Sequence, residues 1–324
     1  MCVKMLDPKA GEYMIDTASG SCGFPVHTIF HITKHLFANE DIPEEQKQNV
    51  LKIFGIDFDE RAVRVSRTLN LIAGDGETNV LHMNTLDYDR WDDNYINNKE
   101  WMGMYGNGFD RLERLREGKG YDKYNFDIVM ANPPFAGDIK ESRLIHKYDL
   151  GFNDKTGKPE NSVGRDILFI ERNLNFLKDG GRMAIVLPQG RFNNLSDIRL
   201  RKYIAERARI LAVVGLQVNT FKPHTGTKTS VLFLQKWNED PNSDYYCPRK
   251  EDYRIFFATS EKSGKNNSGE YVYLKVNGED KLDRNGHRIV EHDLHNHNGE
   301  LPDGIAEAFI KFAKKEDLHF GKEV

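Results

Sequence analysis

Short apolar runs alternate along this chain with segments whose apolar residues recur every three to four positions. The runs are Tyr13–Asp16, Lys52–Asp57, Asn79–His82, Phe126–Met130, Met183–Leu187, Leu211–Leu216 and Ser230–Leu234. Their near-continuous apolar character predicts strands buried on both faces. The alternation predicts an α/β fold, a parallel sheet covered by helices on both sides. Ala62, Val65, Leu69 and Ile72 form one predicted helical stripe, and Ile167, Ile170, Leu174 and Leu177 another, both expected to pack on the sheet. Gly180 and Gly181 after Asp179 are expected to end the second helix. A further helix is predicted around Ser196 to Arg207.

Residues 87–125 break the alternation with acidic, aromatic and glycine-rich sequence, including Trp91-Asp92-Asp93-Asn94-Tyr95, and read as an insertion at a strand end. After Trp237 the pattern weakens. One more strand is expected at Arg254–Ala258 and an amphipathic helix at Ile305–Lys314. Residues 1–237 are therefore read as the catalytic unit and 238–324 as a C-terminal extension.

The 324 residues suffice for one large core or two modest ones, and 39% hydrophobic with 30% charged residues is the balance of a soluble globular protein. No apolar run approaches the roughly 20 residues of a membrane span. Met1 to Gly11 lacks the apolar stretch of a secretory signal, so a cytoplasmic location is expected. Cys2, Cys22 and Cys247 are too scattered for a disulfide framework or a zinc site and are expected as thiols. A net charge of −4 disfavours a protein that grips nucleic acid unaided.

The first predicted strand ends at Asp16 and runs into Thr17-Ala18-Ser19-Gly20-Ser21-Cys22-Gly23, a turn whose glycines let backbone approach a ligand. The second ends at Asp57-Phe58. There Asp57 is placed either to accept from ribose hydroxyls, with Phe58 against an adenine ring, or to cap the next helix with Asp59. A nicotinamide-dinucleotide fold normally shows Gly-x-Gly-x-x-Gly with the acid roughly 20 residues on. Here an acid precedes Gly20 and Gly23 at the strand tip, which suits a ligand bearing a positively charged amine, such as S-adenosylmethionine. The fourth strand runs directly into Asn132-Pro133-Pro134-Phe135. Two prolines hold this loop extended and rigid. The Asn132 side-chain oxygen and the Pro133 carbonyl could accept both N–H groups of an adenine amine, with Phe135 stacked on a base flipped out of its duplex.

These residues resemble the amino-methyltransferases with an Asn-Pro-Pro-aromatic motif, most closely the modification subunits of type I restriction-modification systems. The likeness covers roughly Met5 to Trp237, including Asn70 to Gly74, Asn84-Thr85-Leu86, Gly180 to Pro188 and Phe221 to Ser230. It implies a seven-stranded, doubly wound Rossmann-like methyltransferase sheet with its last strand antiparallel. It further implies S-adenosyl-L-methionine as cofactor, held by the Asp16 to Gly23 turn with Asp57, Phe58, Asn84 and Thr85, and catalysis at Asn132 to Phe135. Phe221 would line the target-base pocket from the other side. Double-stranded DNA, a specificity subunit and a restriction nuclease subunit are the implied partners, the specificity subunit supplying the DNA grip that the net charge leaves short. Asn84 stands where aspartate is common, and Thr17, Ser19 and Cys22 depart from the usual proline, cysteine and glycine. The chain begins at Met1 to Leu6, inside an aromatic cofactor motif that follows a helical domain in this family, and is expected to be a truncated form.

Methylation of a protein glutamine amide or of RNA uses the same motif, and an assembly module that retains the fold without binding cofactor is the rival of another class. Arg191, Arg199, Arg201, Lys202, Arg207 and Arg209 form a basic concentration, read as a solvated helix face rather than a phosphate-binding one. His287, His292, His295 and His297 lack helical metal-site spacing and read as a polar loop, so no metal site is expected.

Overall fold

The computed structural model describes residues 1–33, 44–73, 79–92, 96–284 and 286–320. Gly74 and Asp93 to Tyr95 lie outside the described residues. The central sheet is built from β1 (Met14–Asp16), β2 (Ile53–Asp57), β3 (Val80–His82), β4 (Phe126–Ala131), β5 (Leu177–Pro188), β6 (Ala208–Gly215), β7 (Thr229–Lys236) and β8 (Phe256–Thr259). Their spatial order is β8-β6-β7-β5-β4-β1-β2-β3. β7 is antiparallel to both β5 and β6, while the other pairings are parallel. The expected seven strands are thus present with the seventh reversed. The sheet has eight, because the extension supplies β8 to its edge, one or two residues from the predicted run.

Strand alternation divides the core in two. Ile15, Val129, Ala131, Met183, Ile185, Leu187, Leu232 and Leu234 belong to one buried cluster. Their neighbours Met14, Ile128, Met130, Ala184, Val186, Val231 and Phe233 belong to another. The first face is covered by α4 (Lys99–Glu113), α5 (Arg165–Phe176) and α6 (Ile198–Arg207). The second is covered by α1 (Cys2–Leu6), α2 (Gly23–Thr33) and α7 (Ile305–Lys315), where Phe309 stacks on Phe233 with ring centroids 6.2 Å apart. The 87–125 insertion is not a loose excursion: Trp91, Trp101, Phe109, Tyr121 and Tyr124 are buried together in the first cluster.

Two helix readings need correction. On α3 (Glu60–Ile72) the buried face is Val63, Ser66 and Asn70, whereas Val65, Leu69 and Ile72 are 52%, 38% and 62% exposed. Polar atoms set this rotation: Ser66 Oγ donates to the Gly20 carbonyl, and Asn70 Nδ2 donates to the Ser66 carbonyl. The second stripe is buried as expected at Ile170 and Leu174, but α5 stops at Phe176 and Leu177 opens β5. Gly180 lies inside that strand at φ +77°, and a Cβ there would stand 2.1 Å from the Tyr245 carbonyl oxygen. The β4–β5 register shifts here, from Phe126 opposite Leu177 to Ile128 opposite Arg182, so the glycines make a bulge instead of a helix end.

Arg182, fully buried beneath the second face, meets both ends of the chain, with the Phe320 ring centroid 5.7 Å from its guanidinium carbon. It donates 2.7 Å bonds to each Glu12 carboxylate oxygen and further bonds to the carbonyls of Leu6 and Asp7. Tyr245 donates to the same Glu12. Removing one partner of such a pair strands a buried charge, at a cost of about 3–5 kcal/mol. Glu12→Ala should therefore lower the unfolding free energy by about that amount in urea titrations. The double replacement Glu12→Leu/Arg182→Met should cost clearly less than Glu12→Ala alone.

Candidate active site

Parallel register sets the site's height. Asp16 pairs with Gly55 on one side and Met130 on the other, and Asp57 pairs with His82. The turns after β1, β2, β3 and β4 therefore leave the same sheet edge side by side, and ligands of open parallel sheets sit beyond that edge.

The turn after β1 is held by hydrogen bonds to α5 and to the segment after β3. Thr17 Oγ1 donates to Asn173 Oδ1 on α5 at 2.6 Å, and Thr85 Oγ1 donates to the Thr17 carbonyl at 2.6 Å. Arg172 Nε in turn donates to the Thr85 carbonyl at 3.1 Å. Arg172 is fully buried, with ring faces of Tyr88 and Phe176 each 4.3 Å from its guanidinium carbon. Burial holds its proton affinity below the usual arginine range. Sequence reading missed Arg172 and Asn173 because a helix stripe counts only apolar positions; here polar side chains on the sheet-facing side of α5 pin the turns.

Gly20 adopts φ +50°, and its N–H donates to Asp57 Oδ2 at 2.8 Å. Asp57 Oδ1 also accepts from the Asp59 N–H, while Asp59 caps α3 by accepting from Arg61 N. Asp57 is thus a turn clamp as well as a cleft residue. Asp16 is buried and accepts one bond, from the Ala18 N–H at 3.1 Å. Burial, with the nearby Asp57 charge adding to it, pushes the Asp16 carboxyl up to about 8. Cys22 is buried at φ +62°, its thiol pushed by burial up to about 12; it packs into the first core cluster. Ser21 and Gly23 are exposed.

Two clefts meet at the Asn132 to Phe135 loop. One, of about 220 Å³, is lined by Thr17, Ala18, Asp57, Phe58, Asn84 and Thr85, together with Pro134, Arg165 and Phe169. Six predicted cofactor-binding residues are brought together there with Pro134 of the predicted catalytic loop. Asp16, Gly20, Ser21, Cys22 and Gly23 are not among its lining residues, and of these Asp16 and Gly20 support the turn from behind. Phe58 is 67% exposed, an apolar face left open at the rim. Asn84 Oδ1 already accepts from the Leu86 N–H, which leaves its amide N–H groups for a ligand. The Arg165 guanidinium has no partner among the described residues, and no periodicity marks it because it opens α5.

The other cleft, of about 560 Å³, is lined by Pro134, Phe135, Pro188, Arg191, Asn194, His224 and Thr225, among others. Phe221 meets Phe135 edge to face, with centroids 5.9 Å apart. Asn132 is exposed and its side-chain amide is without a partner among the described residues. Half of the basic concentration is paired with carboxylates: Arg191 with Asp166 and Asp197, Arg199 with Asp154, and Arg207 with Asp149. Arg209 lies over Tyr253. The arrangement offers an acid-floored pocket, an aromatic rim, and a rigid acceptor loop between that pocket and a larger opening.

A family model described as N-6 DNA Methylase matches residues 1–281. The chain belongs to the N-6 DNA methylase family. Over 239 residues it is 25% identical to the type I restriction enzyme EcoEI methylase subunit of Escherichia coli, covering 72% of this chain and 40% of that protein. It is also 25% identical over 160 residues to the type II restriction enzyme and methyltransferase RM.Eco57I of Escherichia coli, covering 48% of this chain and 16% of that one. A structure described as a modification subunit of a type I restriction enzyme from Vibrio vulnificus shares its fold, with a TM-score of 0.53 and 17% identity over 89% of this chain and 56% of that one. This N-6 DNA methylase chain therefore spans 40% or less of the length of these two curated relatives.

The raised Asp16 pKa has a stability consequence. Below about pH 4 the native and unfolded chains both hold this proton. Between about 4 and 8 the native state keeps it while the unfolded state has lost it, so stability falls as pH rises and levels off above 8. Asp16→Asn removes this dependence. Urea unfolding of the variant relative to the parent should show a stability difference that moves in the variant's favour from about pH 5 to about pH 8.

Proposed function

We propose that residues 1–237 form the catalytic unit of an S-adenosylmethionine-dependent methyltransferase acting on adenine N6 in double-stranded DNA, as the modification subunit of a type I restriction-modification system. The observation that carries this reading is Pro134 lining both clefts, which makes the Asn132 to Phe135 loop the wall between a cofactor pocket and a base pocket.

The smaller cleft suits the cofactor on its chemistry. Asp16 behind the turn is a buried carboxyl matched to an ammonium group, Asp57 and the Asn84 amide suit ribose hydroxyls and an adenine edge, and Phe58 suits the adenine face. The unpaired Arg165 cation complements a carboxylate. When bound, the cofactor supplies an electrophilic methyl group on sulfonium.

Asn132 Oδ1 and the Pro133 carbonyl accept the two N–H bonds of the adenine amine and turn the nitrogen lone pair out of ring conjugation towards that methyl group. Phe135 stacks on the extruded base, with Phe221 packed edge to face against it. The acceptors would face the positive charge that develops on nitrogen as it takes the methyl group and the methyl–sulfur bond breaks to leave a neutral thioether, so rate derives from orientation and preorganised dipoles. One amine proton then leaves to water. Since Arg191, Arg199 and Arg207 are spent on internal carboxylates, phosphate neutralisation falls to a specificity subunit, with a nuclease subunit completing the system. No described helix is long and apolar enough to cross a membrane, and a cytoplasmic location accords with this role.

Transfer of labelled methyl groups to DNA, RNA and protein, assayed with a specificity subunit, tests the reading: N6-methyladenine in DNA is expected, and label confined to RNA or protein would overturn it. Asn132→Ala should lower DNA methylation at least about 100-fold while leaving S-adenosylmethionine affinity within about threefold by calorimetry. Because that ligand's ammonium needs ionised Asp16, its affinity should rise from about pH 6 to about pH 7.5 with proton uptake by buffer. Asp16→Asn should flatten this rise.

A further inference from the structure

The C-terminal extension carries a side-chain cluster with no part in the proposed reaction. Between β8 and α7 the chain folds back so that His292, His295 and His297 converge, with ring centroids 4.5 to 4.7 Å apart. One ligand nitrogen from each lies within 4.8 Å of the others, and all three residues are half-buried. His287, exposed and turned to Asp283, stands apart. The spacing of these histidines describes no helical site, because a tight turn brings them together: His297 and Asn298 both adopt left-handed backbone, at φ +47° and +58°. Residues other than glycine reach that region at a steric cost and persist there when surrounding structure holds them.

We propose that His292, His295 and His297 bind a divalent transition cation of the zinc class, with a fourth coordination position open to water. Three imidazoles with one open position are a recurrent donor set for this class. Zinc–nitrogen bonds of about 2.0–2.1 Å place tetrahedral ligand nitrogens about 3.4 Å apart, so the more distant nitrogens of the cluster must approach while its closest pair opens slightly. His292 Nε2 and His297 Nε2 already face each other at 2.9 Å. In the metal-free cluster, His292 Nδ1 accepts from Leu294 N and His295 Nδ1 from His297 N, both at 3.2 Å. Coordination through Nε2 moves the ring protons of His292 and His295 to Nδ1 and gives up those two long contacts together with the hydrogen bond between the His292 and His297 Nε2 atoms. Asp293 stays outside the ligand set, its carboxylate engaged by Ser260 Oγ and the Glu261 N–H. The nearby Lys4 ammonium is held by Glu307 and Asn296.

The site would act as a staple. Asp293 and Leu294 carbonyls accept from the Ile305 and Ala306 N–H groups that open α7, and Lys4 ties the same loop to α1. A cation on the histidines therefore fixes the junction at which the extension meets the amino-terminal helix.

Zn²⁺ titration of chelator-treated full chain by calorimetry, with Co²⁺ visible absorption as a geometric signature, tests the proposal. One equivalent per chain is expected, with a tetrahedral Co²⁺ band and a Zn²⁺-dependent rise in Tm. His295→Ala and His297→Asn should each weaken binding by more than the roughly 10- to 100-fold typical of outer-shell losses, and His287→Ala should leave it unchanged. His297→Asn keeps a residue that tolerates left-handed backbone, so it separates ligand loss from misfolding of the turn. Absence of Zn²⁺ binding by the folded parent chain, or binding that survives both His295→Ala and His297→Asn, overturns the site.

Discussion

The parallel pairing of β1 with β4 is the constraint on which the site depends. Asp16 lies opposite Met130, so the turn that leaves β1 and the Asn132 loop that leaves β4 emerge on adjacent strands, about 4.8 Å apart. Parallel strands cannot be joined by a hairpin. The intervening chain must travel away and return, and β2, β3, α3, α4 and the aromatic insertion lie on that excursion. An acid-backed pocket and a rigid acceptor loop, separated by more than a hundred residues of sequence, thereby become two walls of one crevice. Reversal of β7 between β5 and β6 places the Phe221 segment at the same edge, which is why Phe221 can meet Phe135.

Adjacency alone would leave flexible turns, and buried polar bonds make them rigid. The Thr17, Thr85, Asn173 and Arg172 chain of hydrogen bonds crosses from β1 to β3 to α5. Such a network is stabilising only when its members are satisfied. Arg172 meets much of this demand without an acidic partner, through backbone carbonyls and aromatic faces. Arg182 takes the opposite solution, a bidentate carboxylate. The two arginines thus brace opposite faces of the sheet, Arg172 behind the turns at Thr17 and Thr85 and Arg182 at the amino-terminal segment.

Much of this was legible in advance, for identifiable reasons. Strands buried on both faces leave long apolar runs, so all seven core strands were placed within a few residues at most ends, and the two prolines after β4 announced a fixed loop. The signal failed where polar atoms decide packing. Ser66 and Asn70 turn α3 against the Gly20 carbonyl and leave Val65 and Ile72 in solvent, an orientation that apolar periodicity cannot encode. Gly180 reads as a helix terminator in one dimension, but its positive φ serves a bulge that admits the Tyr245 backbone. Cys22 sits in the cofactor-turn motif, yet its side chain points to the core. Arg165 carries no pattern at all, and only the unpaired guanidinium in the cleft distinguishes it.

Charge distribution separates the chemistry of this chain from its recognition. A pocket for a small ligand needs few charges, and Asp57 and Arg165 line the smaller cleft at this sheet edge. Holding a duplex needs many cations facing outward, because affinity grows with the number of phosphates neutralised. Here Arg191, the arginine lining the larger cleft, faces inward to buried Asp166 and Asp197, and it braces the rim. Turning it outward would free a cation for phosphate but leave those two carboxylates without their countercharge beside the cleft. Rigidity of the rim and attraction for a polyanion therefore compete for the same guanidinium group, and this sequence has committed it to the rim.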